Sequence, residues 1–407
     1  MNIIDGGVNA PIGFYAAGTE AAIKYQNRKD MAIVYSDKPC VVAGTFTSNV
    51  VKAAPVKWDM DIVSNSPYAQ AVIVNTGIAN AGTGTEGMNI CKETAKYASD
   101  VLNIPENAVL IGSTGVIGAQ VPLDRIKKGI DKLATIKSND KESGTDASKA
   151  IMTTDTVNKE MAVQINIGGK VVTIGSMAKG SGMIHPNMCT MLCYVTTDAN
   201  IDKNTLTKLV KTDVIDTFNM ISVDGDTSTN DTLLVMANGE AGNETIKEGT
   251  KEYEEFKEAF HYVTETQAKR LAQDGEGANA LVECKVINAD TKDNARILAK
   301  SVICSSLTKA AIFGHDANWG RILCALGYSG ANFDPENMEL YYQGASNSML
   351  IYKDGAGTDY SEEEASKILS EEEVRIIADM KMGNETATAW GCDLTFDYVK
   401  INADYRS

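Results

Sequence analysis

A two-lobed α/β architecture is predicted by three features of the sequence. The chain has 407 residues, and at about 150 residues per domain this favours two to three domains or one large two-lobed enzyme. Hydrophobic residues make up 43% and charged residues 23%, with 8 Pro against 34 Gly, a composition that fits a packed globular protein and neither a collagenous nor a low-complexity one. Between two apolar runs, Ala71-Val72-Ile73-Val74 and Val109-Leu110-Ile111, the residues Met88, Cys91, Ala95, Ala98 and Leu102 recur at three- and four-residue steps. Strand, amphipathic helix, strand is the unit from which α/β layers are built.

The remaining elements follow in order. A second stripe, Leu123, Ile126, Ile130 and Leu133, comes after Pro122 and predicts another helix. The polar stretch Ser138 to Gly144 reads as a surface loop and a candidate boundary. Val163, Ile165 and Ile167 alternate with polar residues, Gly168-Gly169 supply a turn, and Val172 and Ile174 alternate on the return, so a hairpin is predicted. Thr190 to Thr196 is strand-like, and helices are predicted from about Lys203 to Phe218 and from about Tyr253 to Leu271. Leu281 to Ile287 reads as a strand and Asp290 to Leu307 as a helix, while Ser361 with Glu364 offers a capping box for one more.

Charge and composition then exclude several functions. Thirty-eight Lys+Arg against 54 Asp+Glu give a net charge of −16, which repels phosphate backbones and anionic lipid. The first residues carry neither a basic n-region nor an apolar h-region, and no stretch of about 18 apolar residues follows. A soluble cytoplasmic protein is expected. The eight cysteines are scattered without CxxC pairs, so most should be buried free thiols. His185, His261 and His315 lie far apart, which argues against zinc chemistry and histidine-based triads.

Four segments carry chemistry. Gly82-Thr83-Gly84-Thr85-Glu86-Gly87 fits GxGxxG and would suit a nicotinamide-dependent oxidoreductase, but Asn75 to Ala81 separate it from the preceding strand, so a glycine-rich turn into a helix is the better account. Asp224-Gly225-Asp226 resembles the paired aspartates of a magnesium phosphatase, against the plainer reading of a polar turn. Ser113-Thr114-Gly115 follows a strand and can present an amide and a hydroxyl to an oxyanion, although a strand-to-loop turn would need the same glycine.

The fourth segment runs from Lys179 through Gly180, Gly182 and Pro186 to Cys189 and Thr190. A glycine-containing lead into a threonine can hold the Cys189 carbonyl within reach of the Thr190 hydroxyl. Attack there moves the acyl group from N to O, and ester hydrolysis leaves Thr190 as a chain terminus. Its α-amine, with a reference pKa of about 7.7–8.0 against about 10.4 for lysine, can then act as base for its own hydroxyl. Lys179 and Glu276 offer one charge of each sign to an amino-acid substrate, though each alone is more often a solvated charge.

Long motifs running the length of the chain resemble the ornithine acetyltransferases, also called arginine biosynthesis bifunctional proteins or glutamate N-acetyltransferases. They are Met152-Thr153-Thr154-Asp155-Thr156, Met177-Ala178-Lys179-Gly180-Ser181-Gly182-Met183 and Thr190-Met191-Leu192, then Ser222-Val223-Asp224-Gly225-Asp226-Thr227-Ser228. Asp274-Gly275-Glu276-Gly277, Asn318-Trp319-Gly320-Arg321, Trp390-Gly391-Cys392-Asp393 and the tail from Tyr398 to Ser407 complete them. The resemblance also claims the Gly82 and Asp224 segments, which weakens both rival readings.

The resemblance implies a layered two-lobed α/β sandwich with a self-cleaved N-terminal threonine nucleophile. It implies transfer of acetyl from N-acetylornithine to glutamate through an acetyl-threonine intermediate, with no cofactor; whether acetyl-CoA is also accepted as a donor is not decided by the sequence. Cleavage between Cys189 and Thr190 would give an α chain of residues 1–189 and a β chain of residues 190–407, assembled as a heterotetramer of two α and two β chains. By position, Thr190 is the nucleophile, Thr114 and Gly115 form the oxyanion hole, and Thr153, Lys179, Thr190, Glu276, Asn402 and Ser407 bind substrate. Thr154 and Thr156 stand beside Thr153 in the same motif and compete for its role. Cys189 departs from the alanine common before the nucleophile, and His185 from a small residue, which bears on the rate of cleavage.

Overall fold

The computed structural model describes residues 1–185 and 191–404. They form two compact α/β units interleaved along the chain, one holding described residues 1–180, 191–218 and 227–267, the other 181–185, 219–226 and 268–404. Among the described residues each unit has its own sheet, of nine strands in the first and seven in the second. The mixed α/β architecture and the division in two agree with the sequence.

In the first unit, the strand Ala69–Ile78 is buried along its whole length, which is why it reads as an unbroken apolar run and not as an alternation. Val72 and Val74 face a core with Leu110, Leu234 and Met236. Ile73, on the opposite face, joins Ile111 and the buried stripe Cys91, Ala95 and Ala98 of the helix Gly84–Leu102. That helix ends on Asn103 in the left-handed conformation, φ 55°, and leads to the parallel strand Val109–Val116.

Val109–Val116 lies at the end of its sheet, and an edge strand exposes unpaired backbone groups. The helix Ala54–Asn65 covers it with side chains that imitate a neighbouring strand. Trp58 Nε1 donates to the Val109 carbonyl at 2.9 Å, and Asp59 Oδ1 accepts from the Ile111 amide at 2.8 Å. Asp59 is fully buried, and burial pushes its carboxyl well above the usual range.

The longest strand, Met31–Phe46, has no counterpart in the sequence reading. It pairs with Ala69–Ile78 through Met31 to Tyr35 and with Thr232–Ala237 through Val41 to Phe46, with a shift of register between. The exposed Asp37-Lys38-Pro39 interrupts its apolar pattern, and Pro39 brings no amide to a ladder. The predicted hairpin is present as Lys159–Ile167 and Lys170–Lys179, with Gly168 and Gly169 at φ 58° and 85°. The strand Lys170–Lys179 pairs antiparallel with Leu192–Thr197, which pairs in parallel with Thr232–Ala237. Helix Lys203–Asp216 lies between these last two in sequence and is capped by Asp202, whose carboxylate accepts from the Asn204 and Thr205 amides.

Two expectations are corrected. Ser138 to Gly144 is not a loop throughout: the helix Lys141–Ala150 starts inside it, capped by Asp140, which accepts from the Ser143 amide. Gly144, read as a loop glycine, is a packing residue, because a Cβ there would lie 2.1 Å from Asn9 Oδ1. No boundary falls there, since 1–180 belong to one unit. Nor is Asp290 to Leu307 one helix. Helix Lys292–Cys304 ends, and Ser305 caps a second, Ser306–Phe313, by accepting from the Thr308 amide.

The second unit's sheet centres on Leu281–Ala289, between the parallel Glu373–Asp379 and the antiparallel Glu385–Cys392. Ile221–Ser222 adds a short parallel edge to Glu385–Cys392. The helix predicted from the capping box is Glu362–Leu369, with Ser361 accepting from the Glu364 amide. The cysteines among the described residues are free thiols, of which 40, 91, 193, 284 and 392 are buried, as expected. Among the described residues no helix is long and apolar enough to cross a membrane.

Candidate active site

Thr114 and Gly115 sit near the end of Val109–Val116, where the ladder with Ala69–Ile78 becomes irregular at Ile78. Gly115 has φ 131°, and a Cβ there would lie 2.2 Å from the Gly77 carbonyl carbon, so no other residue fits without displacing backbone. The peptides around it are fixed by Asn230, whose Nδ2 donates to the Ala79 carbonyl at 2.6 Å and the Ser113 carbonyl at 2.8 Å. Ser113 Oγ donates to Asn75 Oδ1 at 2.6 Å.

Lys179, the last residue of its strand, brings two of the candidate hydroxyls together. Its Nζ donates to Thr153 Oγ1 at 2.9 Å and, more loosely, to Thr114 Oγ1 at 3.5 Å. An ammonium only donates, so both hydroxyl oxygens act as acceptors toward Lys179 and keep their own protons to donate elsewhere. Donors oriented in advance are what a developing oxyanion requires. Thr153 is thereby hydrogen-bonded to Lys179.

Asp155 holds this group in place and was not singled out in the sequence. Its Oδ1 accepts from Lys159 Nζ and from the Gly180 amide, both at 2.7 Å, and its Oδ2 accepts from the Thr153 amide at 3.0 Å and lies 3.9 Å from Lys179 Nζ. The carboxylate and Lys159 are almost completely buried. Burial alone would push the Asp155 carboxyl up, but the charges of Lys179 and Lys159, with the amide of Gly180, outweigh it and hold the group well below the usual carboxylate range. The signal available in the sequence was an acid four residues before a lysine, in a motif that otherwise reads as a polar turn.

In the second unit, Glu276 and Asn402 meet. Asn402 Nδ2 donates to Glu276 Oε2 at 2.7 Å and to the Tyr398 carbonyl at 3.0 Å. Glu276 is buried, and its carboxyl packs so tightly on Gly182 that a Cβ there would lie 2.3 Å away. The Glu276 amide donates to the Ser181 carbonyl at 2.9 Å, and Ser181 Oγ donates to the Asp274 carbonyl at 2.6 Å. The segment after Lys179 is thereby strapped to the Asp274-Gly275-Glu276-Gly277 turn.

Asp224 completes the strap. Its carboxylate accepts from the Met183 amide at 2.6 Å, the Ile184 amide at 2.9 Å and the Asp226 amide at 3.2 Å. Only the Asp226 amide belongs to the polar turn expected here; the other two lie about forty residues away, so Asp224 also clamps a distant segment. The glycines of the Gly82 segment also have local causes: Gly82 and Gly84 have φ 66° and 62°, and a Cβ at Gly87 would lie 2.0 Å from Thr83 Oγ1. His185 Nδ1 lies 3.0 Å from Ser222 Oγ and 3.5 Å from Cys304 Sγ. Burial and the nearby Lys300 charge push its imidazole down to about 4, so it is neutral at neutral pH.

Cys189, Thr190 and Ser407 lie outside the described residues. The remaining sequence-predicted residues fall into two groups, Thr114, Gly115, Thr153 and Lys179 in the first unit and Glu276 with Asn402 in the second.

The ArgJ family model matches residues 15–407. The chain belongs to the ArgJ family. The "Arginine biosynthesis bifunctional protein ArgJ" of Caldanaerobacter subterraneus subsp. tengcongensis is 50% identical over 407 residues, covering 100% of both chains. The protein of the same name from Thermotoga neapolitana is 48% identical over 398 residues, 98% of this chain and 99% of its own. A crystal structure of "Arginine biosynthesis bifunctional protein argJ" from Bacillus halodurans matches with a TM-score of 0.50 at 45% identity, covering 52% of this chain and 97% of that one. This ArgJ family member is an enzyme of arginine biosynthesis, as its motifs imply.

Proposed function

We propose that the chain transfers acetyl from N-acetylornithine to glutamate through an acetyl ester on Thr190, after cleaving itself between Cys189 and Thr190. The observation that carries the reading is the Lys179 group: an ammonium donating to the hydroxyls of Thr153 and Thr114 beside a glycine that cannot be replaced. Such a group suits carbonyl chemistry, in which negative charge builds on oxygen. Identity of 48–50% over 98–100% of this chain with proteins named for arginine biosynthesis supports the pathway. Processing is supported by the solved relative, whose chain is matched almost entirely by about half of this one, as one product of a cut near the middle would be.

In the cleavage, Thr190 Oγ attacks the Cys189 carbonyl, the C–N bond breaks to leave an ester and a free amine, and water hydrolyses the ester. In catalysis the same oxygen attacks the acetyl carbonyl of N-acetylornithine, passing its proton to the Thr190 α-amine. The Thr114 hydroxyl and the Gly115 amide stabilise the oxyanion, and the ammonium returns the proton to the departing ornithine amine. Glutamate's amine then takes the acetyl group by the reverse sequence. Thr153, Lys179, Glu276, Asn402 and Ser407 hold the amino acids, with Glu276 facing ammonium. Oγ, amine and oxyanion donors complete the chemistry without a cofactor. Acetyl-CoA is a second donor, which accords with relatives named bifunctional. The enzyme works in the cytoplasm as two α and two β chains.

Intact mass under denaturing conditions tests the first step. Two fragments totalling one water more than the 43.6 kDa chain are expected for the wild type, and one uncut chain for Thr190→Ala. Acetyl transfer from N-acetylornithine to glutamate should follow parallel double-reciprocal lines. An unbroken active polypeptide, or intersecting lines, overturns the reading.

A further inference from the structure

A second cationic group in the first unit has no assigned role. Lys24 Nζ is buried and makes no hydrogen bond, a costly state for an ammonium unless an anion meets it. It lies 5.0 Å from the centroid of the Tyr25 ring, and the Arg28 guanidinium carbon lies 5.3 Å from the same centroid. An aromatic face offsets only part of the lost hydration of a cation.

The position of this group ties it to the candidate site. Gly77, the ladder partner of Gly115, would place a Cβ 2.8 Å from Lys24 Cβ, so the lysine stem packs directly on the strand beside the oxyanion turn. On the other side, Arg28 donates to the Met152 carbonyl at 2.7 Å, next to Thr153. Thr76 Oγ1 donates to the Ala150 carbonyl at 2.7 Å, holding the same turn against the strand.

The loop is also built to be rigid. The buried Asp30 carboxylate accepts from the Ala21 amide at 2.7 Å and the Ile23 amide at 2.5 Å, and Arg125 donates to the Ala22 and Ile23 carbonyls. A fixed loop that delivers an unpaired ammonium is a preorganised anion site. Lys179, by contrast, already gives protons to two hydroxyls and faces Asp155.

We propose that Lys24, flanked by Tyr25 and Arg28, binds a carboxylate of the amino-acid substrates. The proposal rests on the acetyl-transfer reading. The α-carboxylate is common to N-acetylornithine and glutamate, whereas the side-chain carboxylate belongs to glutamate alone, so the two half-reactions distinguish the sources.

The test measures kcat/KM for each substrate in wild type, Lys24→Met and Lys24→Arg, with folding and fragment pattern checked first. Loss of one charge-assisted hydrogen bond lowers kcat/KM by about tenfold to a hundredfold. A fall of that size in Lys24→Met for both substrates, partly rescued by arginine, supports an α-carboxylate site, and a fall for glutamate alone supports a side-chain carboxylate site. Values within twofold of wild type for both substrates overturn the assignment and leave the acetyl-transfer reading standing. A wild type without acetyl transfer overturns both. Should Lys24→Met not fold, Lys24→Gln, which keeps a stem of similar length and removes the charge, replaces it and is read by the same two kcat/KM values.

Discussion

Replacing Asp155 by asparagine would leave Lys159 and Lys179 facing each other across a neutral amide in a buried space. Breaking a buried ion pair by removing one partner costs about 3–5 kcal/mol, and Lys179 would lose the charge that positions it against Thr153 and Thr114. Asp155→Asn should therefore lower both melting temperature and acetyl transfer, with kcat falling more than KM rises if the oxyanion donors are what is disturbed. The pH dependence has a definite sign. The Asp155 carboxyl is held below its ordinary value, so its stabilisation is complete above about pH 4, the unfolded reference, and is lost as pH falls through the lower folded value. A melting series from pH 7 down to pH 2 should show a steeper acid decline in wild type than in Asp155→Asn. At this scale the sequence was only partly legible. Lys179, Thr153 and Glu276 stand in long motifs, but a lone acid in Thr153-Thr154-Asp155-Thr156 looks like any turn residue until the fold delivers Lys179 from another strand.

Between elements, the helix Ala54–Asn65 closes a sheet edge with one indole and one carboxyl group. Because burial raises the Asp59 carboxyl, the folded state prefers it protonated. Its contribution is fully present below the unfolded value near pH 4 and declines as pH rises. Asp59→Asn keeps an acceptor for the Ile111 amide without the titration, so its melting temperature should equal or exceed that of wild type at pH 8 and converge with it toward pH 4. Asp59→Leu should lose about 1–3 kcal/mol by orphaning that amide. A second contact joins the helices Lys203–Asp216 and Lys251–Gln273, where His261 Nδ1 lies 2.7 Å from Asp213 Oδ1. The hydrogen bond to Asp213 raises the imidazole despite its partial burial, so this clamp is complete below about pH 6.5 and lost as pH rises through the higher folded value. His261→Phe should flatten the melting profile between pH 6 and 8, by a small amount because the side chain is 43% exposed. The helices with strong stripes were visible in the sequence. The strand Met31–Phe46 was not, since its function in two parts of the sheet demands a polar interruption, and helix Lys141–Ala150 was hidden because its buried side is made of Gly144, Ala147, Ser148 and Ala150, too small to mark an apolar face.

At the scale of the molecule, the two-unit α/β plan followed from length and from the strand-helix-strand pattern, whereas the interleaving of the units did not. No composition signal marks the points where the chain leaves one unit for the other, because the segments 181–185 and 219–226 are short and the first is held by contacts from distant residues, the Asp224 carboxylate and the Glu276 amide. The first unit's sheet joins Lys170–Lys179 to Leu192–Thr197, and Met31–Phe46 to Thr232–Ala237, so its ladders cross the proposed scission point twice. Severing the covalent chain there would leave the two products woven together like the halves of a zip. They should elute as a single species from a sizing column in native buffer and part only in denaturant. Produced from separate genes, each would present raw strand edges to its neighbours and should precipitate, whereas co-expression of both should restore soluble protein.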